Sequence, residues 1–191
     1  MENIAIIGST EFARQLLYYF ETADFGTVVG LFDDYEQPGS TKHNRPILGR
    51  ISDAPELFRK GAFDTVAIGI GYKHRAFRQQ VYENLRNDQI PITTFIHPNS
   101  HIERSATIAD GCIVMVGCVI MMNSELQENV YLGPRSFVSH DAKVGAHTYC
   151  APAVNLAGYT KIGERCFIGI STTTIDRVSI GADSQTAAGS V

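Results

Sequence analysis

The chain reads as two parts: a small α/β domain over residues 1–95, and an all-β parallel β-helix over residues 96–191. A six-residue period carries the second part. Sixteen positions from Ile96 to Thr186 share one frame, and thirteen are aliphatic: Ile96, Ile102, Ile108, Val114, Ile120, Leu126, Leu132, Val138, Val144, Leu156, Ile162, Ile168 and Ile180. Cys150, Thr174 and Thr186 are the exceptions. The register four residues later is small or β-branched throughout, from Ser100, Ala106 and Cys112 to Val178, Ser184 and Ser190. A hexapeptide period means a coil of short flat sides in which no unit buries its own apolar face, so stability comes from stacking. Strands of a sandwich would instead alternate with period two between turn signals. The third observation is that this period stops at Ile96, and strands alternate with helices before it.

In chain order, Asn3–Gly8 (NIAIIG) is a short apolar run ending in glycine, a buried strand. Glu11–Glu21 places Phe12, Leu16, Leu17 and Phe20 at helical spacing. Thr27–Phe32 (TVVGLF) is a second strand, closed by Asp33 and Asp34. Ile51–Lys60 predicts a short helix with Ser52 as N-cap. Thr65–Ile70 is a third strand, Lys73–Leu85 a third helix and Ile92–Ile96 a fourth strand. This alternation predicts a parallel sheet with helical crossovers, a small Rossmann-like domain, with His97-Pro98 at the junction.

Composition narrows the function. The formal charge is −4, with no basic run and no interleaved aromatics, which argues against nucleic acid as the main partner. Glu2 and Asn3 follow Met1 directly, so no signal-peptide pattern is present, and no apolar stretch reaches the length of a membrane span. Cys112, Cys118, Cys150 and Cys166 fall in the inward registers and read as buried small hydrophobes in a reducing compartment, so a cytoplasmic location is expected. The six histidines do not converge at metal spacing, and no metal is expected.

In an open parallel sheet, ligands bind beyond the carboxyl ends of the strands. Three ends qualify: Gly8-Ser9-Thr10, where backbone N–H groups and a helix N-terminus suit a phosphate; Asp33-Asp34-Tyr35, where carboxylates suit ribose or base donors; and Gly69 to Lys73, with Gly71 allowing close approach. Together they outline a nucleotide-shaped crevice, but G-S-T-E-F-A holds one glycine of the dinucleotide fingerprint's three, which argues against NAD. On the β-helix, Ser139-His140-Asp141 sets an imidazole beside a carboxylate near a corner, a candidate general base with its orienting group. Gly158, eighteen residues on, falls above His140 on the next coil, leaves room for an acyl group, and has an N–H that could bind a carbonyl oxygen. A base with an amide donor one coil away suits acyl transfer.

The stretches IAIIGSTEFAR, VGLFDD, PILG, VAIGIG, FIHP, SHDAKVG and LAGYTKIGERCFIG resemble the bacterial sugar O/N-acyltransferases, which include UDP-4-amino-sugar (bacillosamine) and perosamine N-acetyltransferases and sialic acid O-acetyltransferases. The resemblance covers nearly the whole chain and implies a left-handed β-helix. It implies that His140 is the base, that Asp141 orients it, and that Gly158 donates its N–H to the thioester of acetyl-CoA. It places the CoA arm between neighbouring β-helices of a homotrimer, beside Gly169, Ile170 and Ala188. It puts Tyr149 where many members carry a second histidine against the acetyl group. The nucleotide of a nucleotide-linked amino sugar would lie at Gly8, Ser9, Thr10, Asp33, Asp34, Tyr35 and Gly71. Glu11 and Phe12 stand where the family's first loop has Gly and His. Family members usually run on into a tail that covers the last coil; Val191 falls inside a repeat, so a further segment is expected. The expected function is acetyl-CoA-dependent N-acetylation of a 4-amino-4,6-dideoxy sugar for surface glycan biosynthesis. The alternatives are O-acetylation of sialic acid or a related sugar, and a non-catalytic nucleotide-sugar-binding trimer.

Overall fold

The computed structural model describes residues 1–191, which divide into two compact units, 1–93 and 94–191. The first unit is α/β. Its strands are β1 (Asn3–Ile7), β2 (Thr27–Phe32), β3 (Thr41–Lys42), β4 (Arg45–Gly49) and β5 (Thr65–Ile68), in sheet order β3-β4-β2-β1-β5. All pairs are parallel except β3 with β4. The helices are α1 (Glu11–Thr22), α2 (Ala54–Arg59) and α3 (Arg75–Asn87). The apolar stripe of α1 (Phe12, Ala13, Leu16, Leu17, Phe20) is buried, as its spacing predicts.

Three details differ from the sequence reading. The β3–β4 hairpin was not expected; His43 and Asn44 turn it, both at left-handed φ (50° and 58°), the backbone of a two-residue hairpin turn. Ile51–Asp53 and Tyr72–His74 are 3₁₀ turns that lead into α2 and α3, so both helices start later than expected. Ile92–Ile96 is not one strand. Ile92 makes an isolated bridge to Val66, whereas Phe95–Ile96 pairs with Ile113–Val114. A five-residue apolar run thus serves two sheets, and the N–H groups of Thr93 and Phe95 donate to Val66 and Cys112 respectively.

The second unit is a parallel β-helix of fourteen two-residue strands, from β6 (Phe95–Ile96) to β19 (Ser179–Ile180), stacked in three parallel sheets. Pairing joins residues eighteen apart, such as Phe137 with Asn155 and Val138 with Leu156, so one coil is three hexads. The aliphatic frame fills the interior: Val114, Ile120, Leu132, Val138, Val144, Leu156 and Ile168 are fully buried. The small register lies beside it and also ties coils together. Ser136 Oγ accepts from the Val154 N–H, and Thr148 Oγ1 accepts from the Cys166 N–H while donating to the Gly163 carbonyl. A larger side chain there would lose both the space and these cross-coil bonds.

Between strands the chain turns through two residues, the second at left-handed φ. This holds at Asn123, Asp141, Tyr159 and Arg177 along one edge and at Arg135, Ala153 and Ser171 along another. Non-glycine residues reach this region only at a cost of about 1–2 kcal/mol each. The stack offsets that cost, because these N–H groups are bonded to the preceding coil: Asp141 donates to the Met122 carbonyl, Tyr159 to His140 and Arg177 to Gly158, each nineteen residues earlier, while Asn123 donates to Ser105 Oγ.

Candidate active site

The edge of the β-helix that carries Met122, His140, Gly158 and Asp176 holds the candidate His–Asp dyad. These are the first turn residues of successive coils, each eighteen after the last, so their side chains leave the prism in one column. His140 Nδ1 lies 3.0 Å from Asp141 Oδ2. A carboxylate only accepts, so Nδ1 carries the proton and Nε2 keeps its lone pair. Asp141 is held in turn: its left-handed backbone points the carboxylate back along the edge, and Asn123 Nδ2 approaches Oδ1 at 3.4 Å. The Tyr159 ring stands edge-on to the imidazole, with centroids 5.2 Å apart, and the Arg177 guanidinium lies 4.3 Å above that ring. Both members of the dyad are partly open, with side-chain exposures of 40% for His140 and 32% for Asp141.

Gly158 lies against the ring. A Cβ there would sit 2.8 Å from His140 Cε1 and 2.9 Å from Nε2, so only glycine leaves the imidazole its place. The N–H of Gly158, expected to face a carbonyl oxygen, instead donates to Asp176 Oδ1 at 3.0 Å. Asp176 stands one coil further along the same column and reaches back with its short side chain. It was not singled out from the sequence, although its spacing from Gly158 equals that of Gly158 from His140.

The remaining β-helix residues are not gathered at this edge. Tyr149 is 9% exposed and stacks in a column of rings, 4.2 Å from Tyr131 and 6.0 Å from Phe167, on a flat side of the prism. Ile170 and Ala188 are exposed and belong to another edge, where the Gly189 N–H donates to Ile170. Gly169 gives its N–H to Thr186 Oγ1 and touches Ala187 so closely that a Cβ would be 2.6 Å away. Within one chain, His140 and the expected CoA residues therefore lie on different edges. His147 is half-buried, with Asn129 Nδ2 3.0 Å from its Nδ1. No group of three or more His, Cys, Asp or Glu is placed to hold a metal ion.

In the α/β unit, the expected strand ends do converge. A cavity of about 160 Å³ is lined by Gly8, Thr10, Asp33, Asp34, Tyr35, Gly69, Ile70 and Gly71, all from the expected strand ends, together with Ile51, His74 and Phe77, which the sequence reading does not single out. Gly8 has φ 99°, which its turn from β1 into α1 requires. Ser9 is fully buried and Asp33 nearly so. Asp33 Oδ2 accepts from Ser9 Oγ (2.6 Å) and Oδ1 from the Tyr35 N–H (2.8 Å), so both oxygens brace the loop rather than the cavity. Asp34 Oδ1 accepts from the Ile51 N–H, while Tyr35 is almost fully exposed at the mouth. A larger cavity of about 640 Å³ along α3 shares Asp34, Ile51 and Phe77, but it lies away from the other strand ends. Glu11 pairs with Arg14 one turn along, and Phe12 is buried in the core.

The fold and the His140 edge define a class: the chain is similar to sugar acyltransferases of the hexapeptide-repeat kind. The particular likenesses are these. GDP-perosamine N-acetyltransferase from Caulobacter crescentus, solved with CoA and GDP-perosamine, superposes with a TM-score of 0.90 at 27% identity over 99% of this chain and 87% of that one. The acetyltransferase domain of PglB from Neisseria gonorrhoeae, solved with acetyl coenzyme A, superposes at 0.88 and 24% identity over 100% of this chain and 90% of that one, a likeness of fold. Among curated proteins, UDP-3-O-acylglucosamine N-acyltransferase from Bordetella pertussis is 39% identical over 56 residues, 29% of this chain and 15% of that protein. The chain thus spans under a fifth of the length of the curated relatives it matches. No protein-family profile matches it.

Proposed function

We propose that this protein is an acetyl-CoA-dependent N-acetyltransferase acting on the amine of a nucleotide-linked 4-amino-4,6-dideoxy sugar. The observation that carries the reading is the His140–Asp141 dyad with its free Nε2 beside a glycine that no side chain could replace without moving the ring. The likeness to a GDP-perosamine N-acetyltransferase across almost the whole chain supports the substrate class.

In this reading the amine lone pair attacks the thioester carbonyl carbon. A C–N bond forms, the C–S bond breaks, His140 Nε2 takes the amine proton, and the departing thiolate leaves as the CoA thiol. Asp141 steadies the imidazolium that forms. Gly158 contributes space; with its N–H held by Asp176, it is not the first donor a thioester oxygen meets. The acetyl-CoA arm lies along the edge of Gly169, Ile170 and Ala188, and a homotrimer would bring that edge of one copy to His140 of the next. Tyr149 would then stiffen the side of the prism rather than touch the acetyl group. The nucleotide takes the cavity at Gly8, Thr10, Asp34, Tyr35 and Gly71, with Ser9 and Asp33 bracing its wall. Doubly wound topology of the α/β unit, left-handed winding of the β-helix and a cytoplasmic site of action belong to the same proposal, supported by the superposition over 99% of the chain.

The test is thiol release from acetyl-CoA with UDP-, dTDP- and GDP-linked 4-amino-4,6-dideoxy sugars, with free sialic acid as the hydroxyl control. Turnover on a nucleotide-linked amine is expected. Turnover on sialic acid alone would favour O-acetylation.

A further inference from the structure

Asp176 is the one acidic residue in the column of His140 and Gly158. Its Oδ1 is fixed by the Gly158 N–H at 3.0 Å, and nothing in the chain donates to its Oδ2. Its neighbour in sequence, Arg177, is turned away onto the Tyr159 ring at 4.3 Å. The space that a side chain on Gly158 would fill has two polar walls. From the position of that absent Cβ, His140 Nε2 is 2.9 Å away and Asp176 Oδ1 is 3.5 Å away. The other groups around the imidazole are already committed: Asp141 to Nδ1, Asn123 to Asp141, and Tyr159 by its ring edge. His140 Nε2 and the Asp176 carboxylate therefore flank the bare Cα of Gly158 on one edge of the coil, close enough together for one small acceptor group set beside that glycine to reach both.

We propose that Asp176 is the acceptor-binding residue, and that it selects a primary amine over a hydroxyl at this site. This rests on the N-acetyltransfer reading above. A sugar amine arrives largely protonated near neutral pH. The ammonium gives one proton to Asp176 Oδ2 as a charge-assisted hydrogen bond and directs a second N–H at His140 Nε2. Loss of one proton to solvent through His140 leaves the neutral amine, which attacks; the proton lost on forming the C–N bond goes to Nε2 and then to the departing thiolate. A hydroxyl acceptor carries one proton, which cannot serve both walls at once, and it offers Asp176 no positive charge. The Gly158 N–H is the orienting clamp: it fixes Oδ1 and leaves Oδ2 as the free acceptor.

The test uses the full chain with Asp176→Asn, which keeps Oδ1 for the Gly158 N–H and removes the charge. The acceptor is the fastest member of the 4-amino-sugar panel, and the comparison ligand is the same nucleotide sugar with a hydroxyl in place of the amine, assayed as an inhibitor. The expected result is a KM for the amine raised about 10- to 100-fold, with KM for acetyl-CoA and the inhibition constant of the hydroxyl compound within about twofold of wild type. Asp176→Glu, which restores the charge, should recover part of the loss. An unchanged KM for the amine, or equal losses for amine and hydroxyl ligands, overturns the proposal. The two readings fail differently. Wild-type protein that acetylates no amine of the panel defeats N-acetyltransfer and this assignment together, whereas wild-type turnover with an unaffected D176N variant defeats this assignment alone.

Discussion

Gly158→Ala tests the geometry of the dyad with one methyl group. The new Cβ would stand 2.8 Å from His140 Cε1 and 2.9 Å from Nε2. Carbon atoms rest at about 3.5 Å or more, so the contact is short by about 0.7 Å. The backbone has little reason to yield, because the Gly158 N–H is bonded to Asp176 and its carbonyl to the Arg177 N–H. The imidazole is the softer partner, held by one 3.0 Å bond to Asp141 and an edge contact with Tyr159. It should swing outward, moving Nε2 by most of that 0.7 Å. A misplacement approaching 1 Å at a reacting group costs on the order of 10²-fold, so kcat/KM should fall about 10- to 100-fold. Gly158 does not use left-handed φ, so alanine is tolerated by the backbone, and the melting temperature should fall by no more than about 2–4 °C. Gly181→Ala is the control: its Cβ would find Ser184 Oγ at 4.0 Å and nothing nearer, and rate and melting point should both hold. Steady-state kinetics with a calorimetric melt read both quantities. A Gly158→Ala enzyme with wild-type kcat/KM would refute the claim that this glycine exists to seat the base.

Further outcomes follow from the same structure. His140→Ala should lower turnover by about 10²–10⁴-fold with little change in melting point, since the side chain is partly exposed. Ala153→Gly should raise stability by about 1 kcal/mol, measured by denaturant unfolding, because Ala153 holds φ 57° where glycine carries no Cβ penalty. Burial pushes the Cys118 thiol up to about 11 and raises Cys150 and Cys166 as well, so the native protein should resist thiol reagents near neutral pH and react after unfolding. The same shift sets a pH dependence. A thiol raised in the folded state leaves stability intact below its unfolded pKa of about 8.5 and erodes it as pH climbs toward the folded value, so the melting point should decline over alkaline pH.

The β-helix was readable because its rule is periodic: an aliphatic residue every six places has one stable arrangement, and Val138, Val144 and Leu156 are buried where the frame puts them. The three exceptions in that frame also fit, since Cys150 is buried in the core, Thr174 Oγ1 bonds to Thr160 Oγ1 across the coil, and Thr186 Oγ1 bonds to Thr172 Oγ1 in the same way. The α/β unit was less legible at its joints. No local signal in Ile92–Ile96 tells that residues two apart will pair in different sheets, because that choice belongs to Val66 and Cys112, distant in sequence. The β3–β4 hairpin depends on His43 and Asn44 taking left-handed backbone, a weaker cue than the Asn-Gly pair that usually marks such a turn.

The candidate site was legible as spacing but not as hydrogen bonding. Counting by eighteen brings Gly158 to His140, and the structure has them in contact. Counting once more reaches Asp176, but only the folded chain shows that its carboxylate turns back onto the Gly158 N–H while Arg177 packs on Tyr159. Likewise, Asp33 reads from the sequence as a partner for ribose hydroxyls or base donors, whereas only the fold shows that its two oxygens also accept from Ser9 Oγ and the Tyr35 N–H. Side-chain bonding of this kind is decided by rotamers and neighbours that a linear pattern does not encode.

The most direct test of the central claim follows free thiol from acetyl-CoA with nucleotide-linked 4-amino-4,6-dideoxy sugars, comparing wild-type protein with His140→Ala. The expected result is release with at least one of these amines, product carrying an N-acetyl group by mass, and a loss of about 10²-fold or more in the variant. Nucleotide-sugar binding without thiol release, or release that His140→Ala leaves untouched, would contradict it.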